Sequence, residues 1–206
     1  MTDSIPAFAA ALVAYLIGSI PFGWLVCAGR GVDIRSVGSG NIGATNVVRA
    51  LGRKYGALVF ALDAAKGLAA VSVVPAAFAA FGAVLPAGAR LGCAAAVILG
   101  HSFPVFLSFK GGKGVSTGLG IAVALVPHSA LVALAAWIVL FLSTRYVSVA
   151  SIAAAAVAGA APWWLDCDAG TAARCAVSCM AALVVAKHRH NAIRLLHGNE
   201  NRFKLR

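Results

Sequence analysis

Long stretches without a charged residue constrain this chain more than any other feature of its sequence. Five of them contain no Lys, Arg, Asp or Glu: residues 4–29, 67–89, 91–109, 114–144 and 146–165. A helix needs about 20 mostly apolar residues to cross a bilayer, and its length and lack of charge distinguish it from a buried helix of a soluble protein. The mean hydropathy of +0.91 agrees. The sequence therefore predicts an all-α integral membrane protein.

The number of helices depends on how these stretches divide. The run 114–144 has Pro127-His128 in its middle, which favours two short helices over one long one. A last apolar segment has only Arg174 near its start, and this side chain can reach the interface. We therefore expect seven transmembrane helices in a single domain covering residues 1–206. Their predicted bounds are 5–28, 56–81, 90–107, 114–127, 129–143, 147–165 and 171–187.

The net charge of +11 is distributed unevenly. With seven crossings, one side receives Arg30, Arg35, Arg49, Arg53, Lys54, Lys110, Lys113, Arg145, Lys187, Arg189, Arg194, Arg202, Lys204 and Arg206. The other side receives Arg90 and Arg174 together with the acidic Asp3, Asp166 and Asp168. Basic loops mark the cytoplasmic side of membrane proteins, so we expect the N-terminus outside and the C-terminus in the cytoplasm. This pattern argues against a nucleic-acid partner as the reason for the basic charge.

Residues 1–28 have no basic region before their apolar stretch, which predicts a retained first helix and not a cleaved signal. The cysteines are Cys27, Cys93, Cys167, Cys175 and Cys179, and no CxxC spacing occurs. Buried small hydrophobes are the expected role, with no metal site. Lys113 is followed by Gly114 and not by Ser or Thr, so the chain has no Walker A loop.

A glycine- and lysine-rich loop lies where the third helix leaves the membrane. It contains Lys110, Gly111, Gly112 and Lys113, and His101 precedes it. Glycines let the backbone approach a ligand, and lysines with free N–H groups suit a phosphate. The alternatives are that the lysines only anchor the chain at the interface and that His101 is a satisfied interior residue.

Two more polar clusters are expected on the same side of the membrane. The first cluster holds Ser39, Asn41, Thr45, Asn46 and Arg49 among glycines, where an arginine can clamp a phosphate. A solvated loop whose Asn and Ser side chains cap turns is the alternative. The other cluster, near the C-terminus, contains His188, Asn191 and Arg194 at a spacing of three, with Gly198 as a candidate helix end. A basic tail on anionic lipid is its alternative.

Asp63 and Lys66 stand at i, i+3 inside the second apolar helix. A pair at this spacing reduces the cost of burying either charge. A purely structural pair and a supporting role at a site remain equally open.

At these three clusters the chain resembles the bacterial acyl-phosphate:glycerol-3-phosphate acyltransferases, the PlsY family. The resemblance runs from Gly18 to Phe203 and covers three family motifs. The matching residues are Gly38, Ser39, Gly40, Asn41, Gly43, Thr45, Asn46 and Arg49; then Gly100, His101, Phe103, Pro104 and Phe109 to Val115 with Thr117; then His188, Asn191, Arg194, Gly198 and Glu200. The departures, Ser116 and Ala192, remove no polar group.

The resemblance implies an enzyme of the bacterial inner membrane with its active site facing the cytoplasm. The reaction would move an acyl group from acyl-phosphate to the 1-hydroxyl of glycerol-3-phosphate, with no metal or cofactor. The products would be lysophosphatidic acid and phosphate, in the first step of phospholipid synthesis. The partners would be these two substrates and the bilayer; the sequence leaves the oligomeric state open.

The resemblance also implies roles for the residues. Ser39 and His101 are the candidate catalytic residues, with His101 either orienting a hydroxyl or acting as its base. A phosphate oxygen of the substrate is the alternative proton acceptor. The substrate-binding candidates are Asn41, Thr45, Asn46, Arg49, Lys110, Gly111, Gly112, Lys113, His188, Asn191 and Arg194. Asp63, Lys66 and Glu200 are candidate supports.

Two other functions compete. A transporter for a phosphorylated solute also needs cations, but its binding groups belong near the middle of the membrane and not at one face. An acyl-CoA-dependent acyltransferase commonly carries a His-x4-Asp pattern, and Phe106 stands where that pattern would need the aspartate after His101.

Overall fold

The computed structural model describes residues 4–203, and within that range the chain is built from helices and connecting turns. Asp3, Lys204 and Arg206, used in the charge argument, lie outside the described residues. The α-helices are α1 Ser4–Ser19, α2 Phe22–Ala28, α3 Ala44–Leu51, α4 Arg53–Ala80, α5 Ala89–Ser102, α6 Val115–Leu125, α7 Pro127–Thr144, α8 Val147–Ala160, α9 Pro162–Leu165, α10 Gly170–Lys187 and α11 Arg189–Leu196. Short 3-10 turns lie at Ile34–Ser36, Val105–Leu107 and Cys167–Ala169.

Among residues 4–203, six stretches are long and apolar enough to cross a membrane, which confirms the helical membrane architecture. They are Ser4–Ala28, Arg53–Ala80, Ala89–Leu107, Pro127–Thr144, Val147–Leu165 and Cys167–Lys187. The segment expected at 114–127 forms α6, which is apolar but shorter. At 1.5 Å per residue, α6 is only about half the roughly 30 Å of a bilayer core. The seventh crossing therefore stays a prediction.

The described residues form two compact units, which divide between Ala124 and Leu125. The single domain expected from the sequence stays a prediction. In the first unit the apolar segment 5–28 is interrupted at Ile20-Pro21, between α1 and α2. Proline has no N–H to donate to the helix, which accounts for the break.

Glycines let the helices of the first unit approach closely. A Cβ atom added at Gly18 of α1 would lie 2.3 Å from the carbonyl oxygen of Val97 in α5. On α6, a Cβ atom at Gly120 would lie 2.0 Å from the carbonyl oxygen of Ala64 in α4. Helices in membranes associate through such small residues because van der Waals packing replaces the hydrophobic effect there. The glycines thus place α5 and α6 where the second polar cluster needs them.

Arg90 joins three helices of the first unit. Pro75 lies inside α4 and cannot donate to the carbonyl of Val71 one turn earlier. The Nε of Arg90 donates to that carbonyl at 3.3 Å, and its Nη2 donates at 3.0 Å to the carbonyl of Ala124 in the last turn of α6. The guanidinium therefore satisfies a proline defect and the end of a neighbouring helix.

In the second unit, the start of α7 is capped by Asp166, a residue that lies far along the chain from it. Its carboxylate accepts from the backbone N–H groups of His128 and Ser129 at 3.1 and 3.0 Å, and also from the Ser129 hydroxyl. Burial raises the pKa of this carboxyl, but the bonds from Ser129 and His128 outweigh it and bring the pKa below its usual value. Asp166 is therefore a buried cap, 1% exposed, and not only the external charge that the sequence indicates.

The cysteine expectation is right for Cys27 and Cys93, which are buried, and wrong for Cys167, Cys175 and Cys179, which are exposed. Cys175 and Cys179 lie on α10, a helix apolar enough to span a membrane. An apolar side chain on such a helix needs no burial within the protein because lipid is an equally suitable environment.

Candidate active site

The first polar cluster is a loop between α2 and α3 that is organised by Asn46. The Oδ1 of Asn46 accepts from the backbone N–H of Ser39 at 3.1 Å. Its Nδ2 donates to the carbonyls of Ile34 and Val37 at 3.2 and 2.8 Å. The side chain is 2% exposed. Asn46 therefore holds the loop in shape, and its direct contact with substrate stays a prediction.

The remaining residues of the first cluster follow from that fold. The Oδ1 of Asn41 accepts from the N–H of Gly43 at 2.8 Å and so forms the turn that precedes α3. Gly38 has a φ of +55°, and a Cβ atom there would lie 2.5 Å from Asn46 Oδ1 and 3.2 Å from Cδ of Arg49. Ser39 and Arg49 are exposed, and Thr45 is half-buried. The loop thus presents Ser39 and Arg49 at its surface.

The second cluster is the loop between α5 and α6, and its backbone turns tightly. Ser108 and Phe109 adopt positive φ values of 49° and 62°, and Gly114 adopts 84°. Positive φ is costly for residues other than glycine, and such strain is found at ligand-binding loops. Lys110 is exposed and Lys113 is half-buried. Two cations therefore stand on a sharply bent, glycine-rich backbone, as the sequence predicts.

His101 lies directly beneath this loop. The carbonyl of His101 accepts from the N–H of Gly112 at 3.0 Å. A Cβ atom at Gly111 would lie 2.2 Å from that carbonyl oxygen, and one at Gly112 would lie 2.2 Å from Nε2 of the imidazole. Only glycine fits at both positions. The imidazole is 5% exposed, and the glycine-rich loop packs directly against it.

Asp63 and Lys66 complete this arrangement from α4. Their side chains are paired at 2.7 Å, and Asp63 Oδ1 lies 3.6 Å from Nδ1 of His101. The Nζ of Lys66 also donates to the carbonyl of Ile20 at 2.9 Å, in the break between α1 and α2. All three side chains are buried. The i, i+3 pair expected from the sequence therefore forms and extends to His101.

The third cluster lies in the second unit and is centred on Glu200. One oxygen of its carboxylate accepts from Nδ2 of Asn191 at 2.6 Å, and the other accepts from Nε of Arg194 at 2.7 Å. Burial raises the pKa of Glu200, but hydrogen bonds from Asn191, Ser148 and Arg194 lower it by more, so the carboxyl stays ionised. This geometry favours the supporting role that the resemblance implies for Glu200, which stays a prediction.

Arg194 and His188 differ in how much they can offer a ligand. The bond to Glu200 uses only Nε of Arg194, and the side chain is 36% exposed. His188 is 3% exposed, and its Nδ1 bonds to the carbonyl of Val184 at 2.8 Å. Because a carbonyl can only accept, the proton of His188 is on Nδ1. Gly198, with a φ of +70°, follows the end of α11 as expected.

These arrangements are suited to binding phosphate. Arg49, Lys110 and Arg194 carry positive charge at exposed or partly exposed positions, next to loops whose shape is fixed by buried polar side chains. Cations combined with backbone N–H groups bind and neutralise oxyanions. No His/Cys/Asp/Glu group of metal-binding size occurs among residues 4–203.

Comparison with known proteins agrees with this chemistry. Residues 8–198 match the family model described as glycerol-3-phosphate acyltransferase. The protein of that name from Aquifex aeolicus is 44% identical over 192 residues, which cover 93% of this chain and 96% of the relative. The one from Geobacter sulfurreducens is 46% identical over 93% of this chain and 95% of its own.

Two solved structures share the fold. Both are crystal structures of PlsY, an integral membrane glycerol 3-phosphate acyltransferase. The glycerol 3-phosphate form has a TM-score of 0.87 and 42% identity, and covers 96% of each chain. The lysophosphatidic acid form has a TM-score of 0.85 and 41% identity, and covers 96% of this chain and 95% of the other.

Proposed function

The chain belongs to the glycerol-3-phosphate acyltransferase family, and from that premise we propose that it transfers an acyl group from acyl-phosphate to the 1-hydroxyl of glycerol-3-phosphate. The products are 1-acylglycerol-3-phosphate and inorganic phosphate. The solved relatives support the acceptor and the product, because their descriptions name glycerol 3-phosphate and lysophosphatidic acid. The donor rests on the three motifs discussed above.

The observation that carries the proposal is the packing of the glycine-rich loop Lys110–Gly114, here called the phosphate loop, against His101. Both substrates are phosphorylated, so the enzyme must hold two anions side by side against their repulsion. Lys110, Lys113 and Arg49 reduce that repulsion, and the N–H groups of the glycine loop bind an oxyanion. Because the acyl-phosphate is already activated, positioning the two substrates supplies most of the rate enhancement.

The chemical step needs little from the protein. The hydroxyl oxygen of glycerol-3-phosphate attacks the carbonyl carbon of the acyl-phosphate, and the bond from that carbon to the phosphate oxygen breaks. The hydroxyl proton leaves with the phosphate. We assign His101 the orienting role, because its ring is buried and Nε2 lies against Gly112. The hydroxyl of Ser39 donates a hydrogen bond to an oxyanion at the loop surface.

In the second unit, Arg194 and Asn191 are proposed to bind glycerol-3-phosphate. Glu200 holds both side chains, and the terminal nitrogens of Arg194 are left by that bond to pair with a phosphate. His188 contributes Nε2, since Nδ1 is used by the backbone.

The proposed topology has seven crossings, with the N-terminus outside and the C-terminus and active site on the cytoplasmic side of a bacterial membrane. The bond from Arg90 to Ala124 supports it, because the last turn of α6 then lies beside the first turn of α5. If α6 did not cross, the basic segments at 30–54 and 187–202 would lie on opposite sides, against the charge rule. Labelling of single cysteines placed in these segments tests it: labelling of both from the cytoplasmic side supports seven crossings, and labelling from opposite sides contradicts it.

The donor is tested with the purified protein, glycerol-3-phosphate, and either acyl-phosphate or acyl-CoA. We expect lysophosphatidic acid and phosphate only with acyl-phosphate. Product formation with acyl-CoA alone would contradict the proposal while leaving the family assignment intact.

A further inference from the structure

Asp63, Lys66 and His101 form a buried polar cluster among apolar helices. Their side chains are 3%, 5% and 5% exposed. Burying two charges and an imidazole among apolar helices carries a substantial desolvation cost even when they are paired. A pair that served stability alone would be matched by two apolar side chains of similar size. Its position under the phosphate loop indicates a different use.

The contacts of Asp63 lead to the loop in two steps. Asp63 Oδ1 faces Nδ1 of His101 at 3.6 Å, and the opposite nitrogen of the same ring, Nε2, faces Gly112. The ring is therefore held between a carboxylate and the loop backbone. A carboxylate beside Nδ1 favours the tautomer with its proton on Nδ1, which leaves Nε2 as an acceptor toward the loop.

Lys66 fixes Asp63 in turn. Its ammonium group contacts Asp63 Oδ1 at 2.7 Å, the carbonyl of Ile20 at 2.9 Å and the ring of Phe22 at 5.5 Å from its centroid. The last two residues lie at the junction of α1 and α2. The carboxylate is thereby held against a second element and cannot turn away from His101 without leaving a buried ammonium unpaired.

We propose that Asp63 is a positioning residue for the phosphate loop: it fixes the orientation and tautomer of His101, on which Gly111 and Gly112 rest, and Lys66 fixes Asp63. The proposal deepens the function above and rests on it for the kinetic readout. It assigns Asp63 no contact with substrate. Loss of the acceptor at position 63 therefore weakens acyl transfer through His101 and not through the fold.

Two double variants separate the acceptor from the charges. D63L/K66M removes both charges and the acceptor, whereas D63N/K66M removes both charges but keeps an amide oxygen facing His101. We expect kcat/KM for glycerol-3-phosphate to fall at least about tenfold, or about 1.4 kcal/mol, in the first and about threefold in the second. Both should have thermal midpoints close to that of the wild type.

Coupling to His101 provides the second measurement. In the His101→Gln variant, adding D63L/K66M should cost less than about twofold further, because the ring that Asp63 positions is already absent. An equal loss in both double variants, an undiminished loss in the His101→Gln background, or an activity of D63L/K66M within about threefold of the wild type would each overturn the proposal.

A third measurement observes the His101 ring of the wild-type protein directly. Nitrogen-15 NMR of the histidine-labelled wild type, with His101 assigned from the His101→Gln variant, should show a protonated Nδ1 and an unprotonated Nε2. The opposite tautomer would overturn the proposal. Calorimetry of glycerol-3-phosphate binding separates a wrong positioning role from a wrong donor. A wild type that binds glycerol-3-phosphate but shows no transfer from acyl-phosphate refutes only the acyl-phosphate assignment.

Discussion

Replacing Glu200 with glutamine removes the charge of a carboxylate whose two oxygens are both used. Asn191 donates to one at 2.6 Å and Arg194 to the other at 2.7 Å. A glutamine keeps one oxygen but turns an NH2 group toward one of these donors. Hydrogen bonds to charged groups are worth about 1.5–3 kcal/mol each. Because Arg194 is partly exposed and therefore screened, we expect a total loss of about 2 kcal/mol in unfolding free energy.

The pH dependence of this loss identifies its cause. The folded pKa of Glu200 lies below its ordinary value of 4.5. A depressed carboxyl pKa stabilises the protein above the unfolded pKa, and this stabilisation disappears as the pH falls through the folded value. The difference in thermal midpoint between wild type and E200Q should therefore be largest near pH 7 and shrink below about pH 4.5. A difference that stays constant from pH 7 to pH 4 would refute the reasoning.

Glu200 also makes a kinetic prediction because it orients Asn191 and Arg194. In E200Q, KM for glycerol-3-phosphate should rise about tenfold or more, whereas kcat should change less, since the proposed effect is on binding. E200A is the matched control, because it removes the carboxylate without placing a new NH2 group against the donors. If KM is unchanged in both variants, the third cluster does not bind this substrate.

Three further predictions concern the first unit. Combining Lys110→Ala with Lys113→Ala should reduce activity more than about tenfold with little change in thermal midpoint, because each charged phosphate contact is worth about 1.5–3 kcal/mol; full activity would show that the lysines only anchor the loop in lipid. His101→Gln should retain much more activity than His101→Ala, since glutamine can still hydrogen-bond beneath the loop; equal losses would favour a base role. Arg90→Met should lower the unfolding free energy by about 1–3 kcal/mol while leaving KM unchanged, because it leaves the carbonyls of Val71 and Ala124 without their donor; a changed KM would contradict a purely structural role.

The membrane helices were predictable because each depends on a local property, the absence of charge over a sufficient length. The break at Ile20-Pro21 inside the first span was not predicted, although Pro21 was its visible signal. The second predicted membrane helix, α4, begins at Arg53 and not at residue 56, because Gly52 and not the first apolar residue stands at its N-terminal boundary. Boundaries depend on capping geometry, which hydropathy does not report.

The sequence identifies the polar residues of the three clusters but not the contacts that each of them makes. Asn46 has the sequence context of a ligand-binding residue, yet its amide is used by the backbone of Ser39, Ile34 and Val37. Asp63 and Lys66 could be paired from their spacing, whereas His101 follows 35 positions after Lys66 and joins them only through the packing of α4 and α5. Local sequence identifies which side chains are polar, and tertiary contacts decide which of them remain available to a ligand.

Two cations, the buried Lys66 and the exposed Arg90, each donate to a backbone carbonyl close to a proline. Lys66 donates to the carbonyl of Ile20 beside Pro21, and Arg90 donates to the carbonyl of Val71, which Pro75 leaves without its helical partner. Hydrocarbon offers no water to satisfy such a carbonyl, so a donor from a neighbouring helix must do so. Pro75 therefore accounts for the bond from Arg90, whereas the carbonyl of Ile20 also accepts from the N–H of Phe22 at 3.2 Å, so Lys66 there adds a bond from α4 to the break between α1 and α2. At Pro75 this interaction only holds helices together, whereas at Pro21 the donor is also the ion-pair partner of Asp63. A helix break near the N-terminus is thereby connected, through Lys66, Asp63 and His101, to the loop that we propose to bind phosphate.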